Sequence, residues 1–450
     1  MAAKLRFAIR RQAVCMSHAV KLAEPNDSPR RTTEGLPMLA VMSLLVGAAT
    51  GLVCGAFRWM LDLTTIWRND FLVAMHDWQF AGLLVVMVVF AVAVATAAWL
   101  VRRYAPYATG SGIPHVEAIL DGELPPAPPQ LLLVKFVGGL LALGAGLALG
   151  REGPSVQMGA TISHLIGRTF RRNPQDCLLL LAAGAGAGLS VAFNAPIAGA
   201  IFVLEELTRR FDTRTTIVTF GASAAAIAVG RMIIGNATDF QVAPLPYAGF
   251  GCLPICLVLG VLAGLVGVAY NRTILGTQAM ANRLVRWPVE ARAAVVGAVV
   301  GLLAWFAPTL VGGGDVLAQQ ALLGGAGGLA LVAIFLLRFV LGPVSYAART
   351  PGGLFAPLLV LGSQGGLLFG QICHDWFPTM ASNPVAYAAT GTAAFFAAVV
   401  RAPLTGIILV IELTGSYTQL LPMLAACFTA MLVPTLLNNP PIYDSLKVKA

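Results

Sequence analysis

No charged side chain interrupts residues 35–57, 78–101, 177–204, 240–271, 293–314, 316–337, 350–373 or 413–443. A helix needs about 20 apolar residues to cross the hydrocarbon of a bilayer, and each of these stretches is long enough. Soluble domains carry about a quarter charged residues, whereas this chain has 11% against 58% hydrophobic. So few charges cannot cover a water-facing surface, and lipid must cover much of it. A bilayer offers free backbone groups no partner, so these stretches fold as helices or as breaks buried in protein. The short alternating segments of a membrane barrel do not occur. The sequence predicts an all-α integral membrane protein.

Part of the net charge of +9 lies at the start of the chain, where Lys4, Arg6, Arg10, Arg11, Lys21, Arg30 and Arg31 face only Glu24, Asp27 and Glu34. Basic flanks stay on the cytoplasmic side, so residues 1–36 are expected to be a cytoplasmic arm. No aromatic or glycine-rich RNA signature accompanies them, which argues against nucleic acid as a partner. No apolar core follows the early charges, so the arm is not a cleaved signal peptide. Cys252 and Cys256 lack a second pair or a nearby histidine, and the seven cysteines are expected to be small buried hydrophobes rather than metal ligands. No cofactor is expected.

The chain contains one plan twice. Shifted by 207, Gly184, Ala195, Pro196, Gly199 and Glu205 fall on Gly391, Ala402, Pro403, Gly406 and Glu412; shifted by 203, Gly150, Pro154, Gly159 and Gly167 fall on Gly353, Pro357, Gly362 and Gly370. Residues 37–235 and 247–440 are therefore expected to be structural repeats, joined by a loop at 236–246 and followed by a cytoplasmic tail at 441–450. Transporters are often built this way, with the substrate site between the copies. The frequent Gly and Pro point to short, tilted and broken helices. Sequence alone leaves open whether the copies run parallel or inverted.

Three segments share a design: GSGIP at 110–114, GREGP at 150–154 and GGLFAP at 352–357. In each, glycines precede a proline expected to open an apolar helix, a place where its missing N–H costs nothing. Glycine lets a ligand approach the backbone closely. The free N–H groups of the first turn and the positive end of the helix dipole then face an anion. Several such ends meeting inside a membrane would hold a dehydrated anion without a full positive charge. That suits fast release, because conduction requires only moderate affinity.

These three segments resemble the signature motifs of the CLC chloride channel and transporter family. Asn194, Ala195 and Pro196, the pair Glu205 and Glu206, Arg401, Ala402 and Pro403, and the late Tyr443 follow in that family's order. The resemblance covers about residues 37–445. It implies an inverted repeat of many tilted and broken helices, and a homodimer whose subunits each carry a pore. The type implied is bacterial, without the CBS pair of many eukaryotic relatives, which places it in a bacterial inner membrane.

By this resemblance Ser111 and Tyr443 contact the central anion through their hydroxyls, and the backbone N–H groups of Gly153, Phe355 and Ala356 complete the site. Taken singly, Ser111 also suits a helix N-cap and Tyr443 an interfacial anchor. Glu152 matches the family's gating glutamate and external proton acceptor: ionised, it competes with the anion; protonated, it swings away. The bland alternative is a structural pair with Arg151. Glu206 matches the inner proton-transfer glutamate of exchangers, its alternative being a solvated acid near Arg209 and Arg210. Ionisable groups inside a membrane mark function by default. Glu117, Lys135 and Glu412 are expected to be structural partners of buried helix ends, and His115 to face the cytoplasmic side.

The implied function is chloride/proton antiport, with chloride and protons as substrates. The alternative is a passive voltage- or pH-gated chloride channel on the same fold. Nitrate-preferring relatives carry proline at the position of Ser111, and fluoride exporters depart from the serine motif, so chloride is favoured. No His, Asp or Cys cluster supplies an enzyme's nucleophile or ligands, and the chain is not expected to be an enzyme.

Overall fold

The computed structural model describes residues 35–236, 239–240, 242, 250–284, 286–325, 327–378, 381 and 383–447. The basic arm expected at 1–36 falls outside these, apart from residues 35 and 36, as do most of the connector expected at 236–246 and the last residues of the 441–450 tail.

The first half comprises α1 (Leu36–His76), α2 (Gln79–Tyr104), α3 (Ile113–Leu120), α4 (Gln130–Gly144), α5 (Glu152–Thr169), α6 (Pro174–Phe193), α7 (Pro196–Phe202) and α8 (Thr213–Ile234). The second comprises α9 (Leu253–Arg283), α10 (Val289–Phe306), α11 (Asp315–Leu322), α12 (Gly328–Ala347), α13 (Phe355–Trp376), α14 (Pro384–Val400), α15 (Pro403–Thr414) and α16 (Leu420–Leu436). A last short helix, α17 (Ile442–Leu446), closes the described chain. The halves correspond helix by helix, down to a one-turn 3₁₀ segment before the short α3 (Pro106–Ala108) and before the short α11 (Pro308–Leu310). Packing repeats as well: α1 lies on α8 as α9 lies on α16, and α5 on α6 as α13 on α14. Among the described residues, eight helices are long and apolar enough to cross a membrane.

Two contacts between corresponding elements show that the copies are inverted. Glu205, just past α7, accepts from the N–H groups of Leu404 (2.9 Å) and Thr405 (2.7 Å) at the start of α15. Glu412, near the end of α15, accepts from those of Ile197 (3.0 Å) and Ala198 (2.7 Å) at the start of α7. Each helix thus ends where its counterpart begins, as an axis in the membrane plane requires. The second contact lies near the centre, where Gly150 and Gly353 exchange backbone hydrogen bonds of 2.9 and 2.7 Å.

The glycines that revealed the repeat are the crossing points of its helices. A Cβ on Gly159 of α5 would come within 2.1 Å of Gly184 O on α6, and one on Gly362 of α13 within 2.8 Å of Gly391 O on α14. Between helices in lipid, where no hydrophobic drive operates, such close backbone approach supplies much of the attraction.

The reciprocal carboxylate caps make a prediction. Each satisfies two otherwise orphaned N–H groups at a helix start with a charge of the favoured sign. Glu412→Gln should lower the unfolding midpoint of the purified protein in detergent, through the loss of about 1–2 kcal/mol of charge-assisted hydrogen bonding. Glu205→Gln should do the same. An unchanged midpoint in both would show that the caps do not stabilise the repeat interface.

Candidate functional site

The backbone before α3 cannot carry side chains at two points. Gly110 and Gly112 have φ of 61° and 83°, the left-handed region that glycine enters freely. A Cβ on Gly110 would lie 2.7 Å from the Tyr346 hydroxyl, and one on Gly112 2.3 Å from Gln157 Oε1. Lys135, fully buried on α4, donates from Nζ to Ala108 O (3.0 Å) and Gly110 O (2.8 Å) and so fixes this loop. Its counterpart 203 residues on, the buried Arg338, does the same before α11, donating to Gly312 O (2.8 Å) and Gly313 O (2.7 Å). Ser111 is thereby held at the mouth of α3. Its N–H donates to Tyr346 Oη (3.4 Å).

The other two motifs differ from expectation in register. α5 begins at Glu152 and α13 at Phe355, so Pro154 and Pro357 are third residues rather than helix openers. The reason is permissive: all four N–H groups of a first turn lack helical acceptors, so proline is tolerated there too. The consequence is that Gly153, Phe355 and Ala356 lie in first turns with their N–H groups outside the helical ladder.

These ends converge. A Cβ on Gly153 would fall 2.7 Å from Ser111 Oγ, so α5 and the start of α3 touch. Glu152 is fully buried, and its Oε1 accepts from Phe355 N at 2.7 Å and Ala356 N at 3.4 Å. The carboxylate therefore occupies the anion position that the α13 terminus offers. Gly150 and Gly353 make room for it, since a Cβ on either would come within 1.9 or 2.2 Å of its oxygens. The Tyr443 ring sits 6.0 Å from that of Phe355. Among the described residues no group completes a hydrogen bond to Ser111 Oγ, Glu152 Oε2 or Tyr443 Oη, although all three residues are 0% exposed. Buried polar atoms normally have partners. Three such orphans on these meeting elements are unmet hydrogen-bonding capacity that a polar guest could satisfy.

Glu152 does not pair with Arg151. That guanidinium instead binds Asp239 (2.9 Å), with looser contacts to Asp315 (3.7 Å) and Asp62 (3.9 Å). Nor is Glu206 a solvated acid. It lies in a π turn, Val203–Leu207, is 4% exposed, and its Oε1 lacks a partner among the described residues. Helical turns of this kind concentrate at functional sites. Glu206 is surrounded by Glu117, Arg209, Asp444 and Glu205, and Lys447 ties Glu117 (3.2 Å), Asp121 (3.1 Å) and Asp444 (3.0 Å) together. Phe355, whose N–H holds Glu152, meets Phe202 edge-on at 5.5 Å and Phe396 at 4.7 Å, and Phe202 directly precedes the turn that carries Glu206.

A cavity approaches from either side. One of ≈ 400 Å³ reaches Glu152 and Ala356 past Arg68, Arg151 and Asp315. The other, of ≈ 380 Å³, reaches Gly110 and Gly112 on both sides of Ser111. His115 lines the second cavity, its ring stacked on Tyr107 at 4.7 Å with Nδ1 3.1 Å from Gln157 Nε2. Sequence reasoning missed Tyr346, Gln157, Asp239 and Arg338. Of these only Arg338 had a signal, its spacing of 203 from Lys135. Among the described residues no group of three or more His, Cys, Asp or Glu could hold a metal ion.

A family profile described as "Voltage gated chloride channel" matches residues 93–435. The H(+)/Cl(-) exchange transporter ClcA of Vibrio cholerae is 38% identical over 418 residues, covering 90% of this chain and 88% of that one. That of Klebsiella pneumoniae is 36% identical over 414 residues, covering 90% and 87%. Among solved structures, a slow cyanobacterial Cl⁻/H⁺ antiporter superposes with a TM-score of 0.87 at 32% identity, over 91% of this chain and 97% of that one. A CLC-type fluoride/proton antiporter shares the fold, with a TM-score of 0.77 at 21% identity over 91% and 98%. The inverted repeat, the three converging helix starts and this similarity along nearly the whole chain lead to one conclusion: the protein belongs to the voltage gated chloride channel (CLC) family.

Proposed function

We propose that the protein exchanges chloride for protons across a membrane, with Glu152 as gate and external proton acceptor and Glu206 as the inner proton-transfer group. The observation that carries this reading is the carboxylate of Glu152 seated on the amides of Phe355 and Ala356. A chloride ion needs those donors, so ion and carboxylate exclude one another. Protonation discharges the carboxyl, weakens its hold on the amides and frees the position. Anion and proton are then coupled by competition for one seat.

Chloride is held by the hydroxyls of Ser111 and Tyr443 with the N–H groups of Gly153, Phe355 and Ala356. All are neutral donors, which suits moderate affinity. Glu206, buried beside the cavity-lining α3 end of the molecule, takes the proton on the far side. The acid at this position and the exchangers among the similar proteins favour antiport over a passive channel. The protein spans the membrane many times; a bacterial inner membrane, with the basic N-terminus in the cytoplasm, is the placement the arm's charge supports. Every site residue comes from one chain, which is compatible with a homodimer of independent pathways. The eight-helix correspondence supports the division into repeats at 37–235 and 247–440.

The test is uphill transport. Liposomes containing the protein and loaded with high chloride, diluted into low chloride with the membrane potential clamped, should take up protons against a pH gradient. Chloride efflux without proton uptake would identify a channel instead.

A further inference from the structure

Glu152 follows a guanidinium directly in sequence, and a carboxylate that must accept a proton works against such a partner. An opposite charge within a few ångströms holds a carboxyl in its ionised form. The fold pairs the guanidinium elsewhere. Arg151 Nε donates to Ala192 O at the end of α6 (2.8 Å), and Nη2 donates to Asp239 Oδ2 (2.9 Å). Among the described residues no ion pair joins Arg151 to Glu152. Asp239 lies in the connector between the two halves, and its other oxygen accepts from Arg58 Nη2 of α1 at 2.5 Å. Arg58 Nη1 in turn reaches Val191 O and Ala192 O, each at 3.3 Å. One carboxylate thus clamps two guanidinium groups onto a single helix C-terminus, where the helix dipole favours cations.

Arg151 has three acidic neighbours, but they are unequal. The side chains of Asp62 and Asp315 are 60% and 55% exposed and stand 3.9 and 3.7 Å away, whereas that of Asp239 is 8% exposed and in hydrogen-bond contact. Exposed, loosely formed pairs contribute little. Asp239 decides where the guanidinium points.

We propose that Asp239 is a positioning residue for proton coupling: it holds Arg151 against the end of α6 and away from Glu152, so that the gate is held by backbone amides and can be protonated. This rests on Glu152 being the proton acceptor. Asp239 itself touches neither anion nor proton. The titratable or charged groups around the gate are Arg58, Asp62, Arg68 and His76 on α1, Arg151 before α5, Asp315 on α11, Arg338 on α12 behind Gly314, and Tyr443 on α17. With Asp239 neutral, Glu152 is the buried carboxylate left beside Arg151, since Asp62 and Asp315 are exposed. The guanidinium then turns to Glu152.

The experiment reads the external pH at which chloride flux and coupled proton uptake switch on in proteoliposomes. In Asp239→Asn that midpoint should move to lower pH by about one unit, the lower end of what one nearby opposite charge produces. Asp239→Glu should restore it. The double variant Arg58→Gln with Asp239→Asn removes one charge of each sign and guards against misfolding; it should shift the midpoint as well. An unmoved midpoint in both Asp239→Asn proteins, with only a slower rate, would overturn the proposal. Glu152→Gln separates the two readings. If it loses coupling while the Asp239 variants keep their midpoint, the positioning role alone fails. If it keeps coupling, Glu152 is not the acceptor and both fall.

Discussion

Glu152→Gln abolishes proton movement while chloride still passes. In proteoliposomes under a chloride gradient, proton uptake should fall by roughly 100-fold or more, the scale of a lost acid–base group. The amide has nearly the shape of the acid but carries no charge, so it cannot compete with chloride for the amides of Phe355 and Ala356, and it binds no proton. The pH dependence follows with a definite sign. In the native protein, acid discharges the carboxyl and opens the seat, so chloride flux rises as pH falls. In the variant the seat is permanently uncontested, and flux should be flat with pH. A variant flux that still rose in acid would place the gating proton elsewhere.

Glu206→Gln should lose proton uptake to a similar extent, roughly 100-fold, but with a different signature. Glu152 is intact, so chloride flux should keep its rise in acid. The two carboxyls act in series for the proton and only one of them competes with the anion. Glu206 owes this role to its setting in the π turn, which directs Glu205 to the start of α15 and leaves Glu206 buried with an unpartnered oxygen. Phe355 and Phe202, which link the two sites, carry no ionisable group, so a proton passing between Glu206 and Glu152 needs water or the Tyr443 hydroxyl. Intact proton pumping in Glu206→Gln would remove this residue from the route. The contrast between the variants is more telling than either loss alone.

Much of this was legible in the sequence, for physical reasons that differ by feature. Uncharged stretches must be helices in lipid, so the fold class followed from solvent alone. The motifs at 110–114, 150–154 and 352–357 announce helix starts, and those starts do converge on Ser111, Glu152, Phe355 and Tyr443. The offset of 207 linked Glu205 to Glu412, and the structure turns that link into reciprocal caps. What stayed hidden depends on long-range geometry. Whether Arg151 pairs with Glu152 or with Asp239, 88 residues away, cannot be read from adjacency. The orientation of the repeats rests on which helix ends meet, and the offset is the same for either arrangement. Proline was placed two residues too early in α5 and α13 because a first turn tolerates it at more than one position. Tyr346 and Gln157 carry no local signal; they matter because Gly110 and Gly112 leave room for them.

The central claim is that an anion and the Glu152 carboxylate compete for one buried seat. Crystals of wild type and Glu152→Gln grown in bromide, with anomalous scattering used to locate the ion, test it most directly. The account predicts bromide near Ser111 Oγ, Tyr443 Oη and the first turns of α5 and α13 in Glu152→Gln, and none there in wild type crystallised at a pH where the carboxyl is ionised. It further predicts that in the variant an ion stands at the amides of Phe355 and Ala356, where the native carboxylate lies. Bromide absent from this cavity in both, or the same pattern of ions with and without the charge on residue 152, would contradict it.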